Sequence, residues 1–375
     1  MEIILTFVSV RQTLLVAMVF IAMAGLPSPI QAQSNDDSIA EAELQQGIGL
    51  TRAGEFDKAI PHLLAARGRV RNDYAARFNL SLCYAATAQY ESAIELLIQL
   101  RSDGHSNGDV LNLLVQSLLG GRQPEKAWTV FQDAVRLTPN NEKLYVMIAE
   151  ASMDSGYYEL GRQAAETGLR HLPRSSRLVF EHAMLLSHLD FLDDAKRELR
   201  RVSELAPGSD VAYIAAAQRN FFDGNVREAV RVAREGIEKG NRHFMLLTLY
   251  GEAVLSSGAG PDSKEFAEAR VSLEQAVDER PAYASALLAL GRLYLLEGRL
   301  EEAIMHLDRA REVDAGNPAV YSTLATVLRR RGDAARADEM LAVLTRLNRE
   351  EIEKIRSAPG DRKASYGVKS HPPKD

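Results

Sequence analysis

The sequence holds one cysteine, Cys83, and one tryptophan, Trp128. A lone thiol excludes an intrachain disulfide and any cysteine-built metal cage, and Cys83 reads as a small buried apolar group. An excess of charge of one sign is also missing. The chain has 45 Lys and Arg against 51 Asp and Glu, a formal net charge of −6, with both signs mixed throughout. No basic face stands out, which argues against nucleic-acid binding. The eight histidines are scattered, and none forms the i, i+4 pair around a glutamate that a helical zinc site needs. Phosphate-cradling Gly-Lys-Ser loops and Gly-x-Ser-x-Gly elbows are absent as well. These absences predict no enzyme, no metal and no cofactor.

Long apolar runs are missing except at the amino terminus. Thr13 to Leu26 carries no charge, is preceded by Arg11, and is broken by Pro27 and Pro29 before Ala32. As a helix it covers about 21 Å, short of a bilayer core of about 30 Å. The pattern predicts an export signal over 1–32, cut between Ala32 and Gln33, with 33–39 as a linker. The product is an exported chain, periplasmic or secreted. The alternative is an uncleaved anchor, so the signal segment provides the only membrane contact. Residues 358–375 are rich in Pro, Gly, Ser and Lys and predict a disordered tail.

What remains, 40–357, is periodic. Ala59, Ala93, Ala127, Gly161, Ala195, Ala229, Ala269, Ala303 and Ala337 recur at steps of 34 residues, except one step of 40. Twelve residues earlier lies a second, mostly small column: Gly47, Ser81, Val115, Ala149, Ala183, Ala217, a displaced Gly251, Gly291 and Ala325. Large apolar residues flank both, including Leu63, Leu97, Phe131, Leu199, Leu273, Leu307 and Leu341. Spacings of three, four and seven place them on one helical stripe. Small residues let two helices approach, and large ones fill the space beside them.

Punctuation splits each repeat. Gly54, Gly156, Gly224, Gly298 and Gly332 stand five residues before the small column, where one helix must end and reverse. Pro139, Pro173, Pro207 and Pro281 stand twelve after it, closing the second helix. Ser38 and Glu41 form a capping-box pattern at the first helix. Repeats start near 40, 74, 108, 142, 176, 210, 244, 284 and 318, and the seventh carries six extra residues within 259–265, predicting a longer turn. The final helix is expected to run on through Leu347, Ile352 and Ile355 and cover the last repeat.

This pattern resembles the tetratricopeptide repeat (TPR), a match seen best in Leu290, Gly291, Tyr294, Gly298, Ala303, Leu307 and Ala310. The likeness spans 40 to about 351. Departures exist: the aromatic fourth place survives only at Tyr145, Tyr213 and Tyr321, and Ser152 and Asn220 occupy places usually large and apolar. The fourth and sixth repeats are therefore expected to be the least well packed. A slight helix rotation would put Phe221 in the slot of Asn220. The resemblance implies an all-α, right-handed superhelical solenoid of about nine helix-turn-helix units, with the first helices lining a concave groove.

By that geometry the groove holds Leu44, Ile48, Phe78, Leu82, Asn112, Gln116, Glu150, Phe180, Met184, Gln218, Phe222, Leu288, Arg292, Arg329 and Arg330. The Lys and Asn set with which some family members clamp a C-terminal carboxylate is absent. The resemblance implies a non-catalytic scaffold or adaptor in the cell envelope or periplasm, holding a peptide or protein segment in its groove. The alternative is a structural, self-assembling subunit of a larger secretion or polysaccharide-export complex. In either case many of the apolar groove residues could equally pack between neighbouring first helices.

Overall fold

The computed structural model describes residues 29–357; residues 1–28, which hold most of the predicted export signal, and the predicted tail 358–375 lie outside the described residues. Within the described residues there are eighteen helices and no strand. They fall into two compact halves, up to Pro173 and from Arg174. The first half contains α1 (Pro29–Arg52), α2 (Phe56–Ala66), α3 (Asp73–Ala86), α4 (Tyr90–Ser102), α5 (Gly108–Gly120), α6 (Pro124–Leu137), α7 (Glu142–Asp154) and α8 (Tyr158–His171). The second contains α9 (Ser176–His188), α10 (Leu192–Leu205), α11 (Asp210–Phe222), α12 (Val226–Glu238), α13 (Phe244–Ser256) and α14 (Lys264–Glu279). It continues with α15 (Ala284–Leu296), α16 (Leu300–Val313), α17 (Pro318–Arg331) and α18 (Ala334–Ser357). No helix among the described residues is long and apolar enough to cross a membrane.

Consecutive helices pack as hairpins. Within each half the first helices also stack on one another, as α1 on α3 and α13 on α15. The small columns are the seams. Every member of both columns is buried. At Gly47, Gly251 and Gly291 an added Cβ would lie 2.6, 2.5 and 2.6 Å from Cγ of Leu63, Leu273 and Leu307. Each leucine stands at the same place on the second helix of its own repeat. A large residue on one helix therefore fills the hollow left by a glycine on the other.

The reversal between paired helices needs a left-handed residue in every repeat. Six repeats use glycine, from Gly224 at φ +72° to Gly332 at +91°; three use Ala88 (+57°), Arg122 (+58°) and Asp190 (+62°). The bond behind it recurs: the amides of Glu55, Gln89, Tyr157 and Arg299 donate to the carbonyls of Leu50, Tyr84, Ser152 and Tyr294 at 2.8–2.9 Å. This is the six-to-one bond of a Schellman cap, so the turn is set by backbone geometry even where the sequence does not carry glycine. Cys83 is fully buried with its Sγ 3.2 Å from the Thr51 hydroxyl, and burial pushes its thiol up.

Five local expectations need revision. Ser38 is inside α1, not at its start, because nothing between Pro29 and Ser38 breaks a helix and Pro29 suits a first turn. The helix thus runs through the 33–39 stretch read as linker, and Ala32 and Gln33 lie in its first turns. In the seventh repeat only four of the six extra residues lengthen the turn, now 257–263; the other two extend the start of α14. Asn220 keeps the core slot and Phe221 stays half-buried, because the Asn220 amide donates to the Ala216 carbonyl at 2.9 Å and needs no rotation. α18 does run on to Ser357, but Ile352 is 50% exposed and covers little.

Candidate partner-binding surface

The predicted groove residues separate by their place on the first helix. Those at the fifth place of each repeat are mostly closed. Leu44, Asn112, Phe180 and Leu288 are buried where adjacent first helices meet, and only Phe78 stays half-exposed, stacked on Tyr74 at 5.8 Å. Four residues further on, at the ninth place, the row is open. Ile48, Leu82, Gln116 and Glu150 in the first half, and Met184 and Gln218 in the second, are half-buried, and Arg292 is exposed. Phe222 is half-buried at the end of α11, while Arg329 and Arg330 are exposed at the end of α17. One turn of helix thus separates a row that builds the stack from a row that faces outward.

Asn112 breaks the pattern of the closed row. It is 3% exposed on α5, a helix that buries nine residues between α3 and α7. Its side-chain oxygen has no hydrogen-bond partner among the described residues. A buried, unpaired carboxamide oxygen costs roughly 1–3 kcal/mol, and leucine would fill the same volume without that cost. Gln116 sits one turn along the same face, half-buried.

Charge gathers in the second half. Glu252 holds the ninth place of the seventh repeat, on α13, and no hydrogen bond from the described residues reaches its half-buried carboxyl. Burial pushes it up to about 7 although Arg292 pulls the other way. The sequence reading passed over it because the insertion shifts the count back from Ala269; counting 34 forward from Gln218 reaches it directly. Beyond it lie Arg292, Arg329 and Arg330. Among the described residues only Arg329 has a carboxylate within salt-bridge distance, that of Asp338 at 3.5 Å, and both ends of that pair are mostly exposed; Arg292 acts on the Glu252 carboxyl from further away.

The outer helices look different. Arg162 pairs with Glu159 and Glu166, and Arg231 with Glu228 and Glu235, so the outer charges largely neutralise one another along each helix. No cluster of three or more His, Cys, Asp or Glu able to hold a metal occurs among the described residues.

Comparison with known proteins agrees with the repeat. The tetratricopeptide repeat family profile matches residues 50–116, 262–311 and 294–358. The TPR repeat-containing protein YpiA of Bacillus subtilis (strain 168) is 24% identical over 282 residues, 75% of this chain and 57% of that protein. The chain thus spans little more than half of that relative. Among solved structures, the APC/C hetero-tetramer Cut9–Hcn1 aligns with TM-score 0.50 and 15% identity, over 78% of this chain and 56% of the other. A tetratricopeptide repeat protein from Parabacteroides merdae ATCC 43184 aligns with TM-score 0.49 and 17% identity, over 68% of this chain and 98% of the other. The two columns, the left-handed turns, the helix hairpins and the family profile meet on one conclusion: the stretches that the profile matches are tetratricopeptide repeats, and the helix hairpins between them follow the same pattern.

Proposed function

We propose that the protein is an exported, non-catalytic scaffold that holds a peptide or protein segment against the open ninth-place row of its first helices. The observation that carries this reading is Asn112. Its unpaired oxygen is a stability cost kept in the closed row of α5, one turn from Gln116 on the open row, where binding offers a reason to keep it. Extended segments present amide groups that carboxamides can pair with, and half-buried Leu82 and Phe78 offer apolar contact beside them. Export rests on the amino-terminal apolar run and places the scaffold in the envelope or periplasm, with the mature chain starting at Gln33.

The test is affinity capture from the native envelope with the mature chain, repeated with Phe78→Ala and Leu82→Ala together. Truncated anchors commonly cost about 1 kcal/mol or more each, so a micromolar partner should be visibly lost while the variant stays folded. Unchanged capture by folded groove variants, with loss on changing Arg162 or Arg231, would move the binding surface outside. Light scattering on the mature chain addresses the self-assembling alternative, which requires a defined oligomer.

A further inference from the structure

Resting on that scaffold reading, we propose that the second half takes an acidic segment of its partner at the ends of α15 and α17, against Arg292, Arg329 and Arg330. Three observations converge. First, these guanidiniums stand on adjacent first helices, and Arg330 reaches across to the Leu295 carbonyl at 3.4 Å, which places it over the last turn of α15. Arg292 is one turn back on that same helix, on the open row.

Second, little of their charge is spent in ion pairs inside the protein, although Arg292 also pulls on the Glu252 carboxyl. Arg292 and Arg330 have no carboxylate within salt-bridge distance among the described residues, and the Arg329–Asp338 pair is a long, solvated one worth little. Nearby arginines contrast with them: Arg299 pairs with Glu302 and Glu297, and Arg331 with Asp333 and Glu301. A chain of net charge −6 that leaves three arginines available on one face offers complementarity to carboxylates there and repulsion to most of its own surface.

Third, apolar surface lies among them. Leu296, the last residue of α15, is 49% exposed, and Leu295 beside it is half-buried. Guanidiniums flanking an exposed leucine suit a segment that alternates carboxylates with apolar side chains. A purely polar polyanion would leave Leu296 uncovered. Glu252, on the neighbouring α13, holds the preceding ninth place of the same row.

Fluorescence anisotropy on the full mature chain tests this with two short fluorescein-labelled peptides, one of glutamates with interspersed leucines and one with lysines replacing the glutamates. The acidic peptide should bind, the basic one should not, and added salt should weaken the binding. Arg292→Glu with Arg330→Glu should weaken the acidic peptide roughly tenfold or more and create binding of the basic one. Because both side chains are exposed, the melting temperature should stay near wild type. Equal binding of both peptides, binding of neither, or acidic-peptide binding indifferent to the double reversal would each overturn the proposal. The scaffold reading has its own readout: capture of the native partner that depends on Phe78 and Leu82 but not on Arg292 and Arg330 leaves it standing without this one.

Discussion

The same helical row changes character between the two halves of the molecule. At the ninth place of each repeat the first half carries Ile48, Leu82, Gln116 and Glu150; the second carries Met184, Gln218, Glu252, Arg292 and Thr326. The seams behind that row do not change: Ala59 and Ala303 are equally buried, and the hollow at Gly47 matches that at Gly291. Packing therefore dictates residue size at the seams in both halves, while the open row is free to vary in polarity. In a repeat protein this is the separation expected between stability, held by nearest neighbours, and recognition, held by surface composition.

The largest effect should come from violating what the halves share. Ala303→Leu forces extra carbons into a closed seam and should lower stability by about 3 kcal/mol, read as a clear drop in thermal midpoint. Ala59→Leu in the first half should behave alike. A harmless Ala303→Leu would mean that the seam is looser than its burial implies.

Next comes the charged member of the second row. Glu252 is held up at about 7 against an ordinary 4.5, so the folded state binds its proton more tightly than the unfolded one. That contribution is fully present below about pH 4.5 and fades as pH rises through about 7. Glu252→Gln should consequently match wild type in acid and exceed it by about 2 kcal/mol above pH 8, allowing for partial exposure. Urea titrations at both ends of that range decide it; a pH-independent difference would refute the assignment.

Smaller effects sharpen the first half. Asn112→Leu should stabilise by about 1 kcal/mol, by removing an unpaired buried oxygen, and weaken partner capture at the same time. Destabilisation in a chemical melt would show that the amide is paired. Smallest is the turn: Ala88→Gly and Arg122→Gly should each gain about 0.5 kcal/mol, since relief of the left-handed strain is partly offset by added freedom in the unfolded chain. Gly54→Ala should lose a comparable amount, and thermal melts of the set should rank in that order.

Much of this was legible in the sequence because repetition makes the small columns visible without any partner information. Ala59 to Ala337 mark nine second helices, and each lies in one. Three things were hidden. Burial of the fifth-place residues Leu44 and Phe180 depends on how closely adjacent first helices stack, which no local pattern encodes. The left-handed turns at Ala88, Arg122 and Asp190 carry no glycine, so only the backbone reveals them. The thin packing expected of the fourth and sixth repeats is present in kind: Ser152 is buried with a hydroxyl that finds no partner among the described residues, and α8 and α12 bury only Gly, Ala and one Val. The carboxyl of Glu252 was missed because the six-residue insertion disturbs the count at its own repeat.

The central claim is that partners meet the open row of the first helices. Site-specific photo-crosslinking in cells of the source organism tests it most directly, with the probe placed singly at Gln116, Gln218, Gln163 or Gln275. The first two lie on that row and the last two are exposed on the second helices α8 and α14. Crosslinks to a discrete partner at Gln116 or Gln218, and none at Gln163 or Gln275, are the predicted result. Crosslinks confined to Gln163 and Gln275 would contradict it.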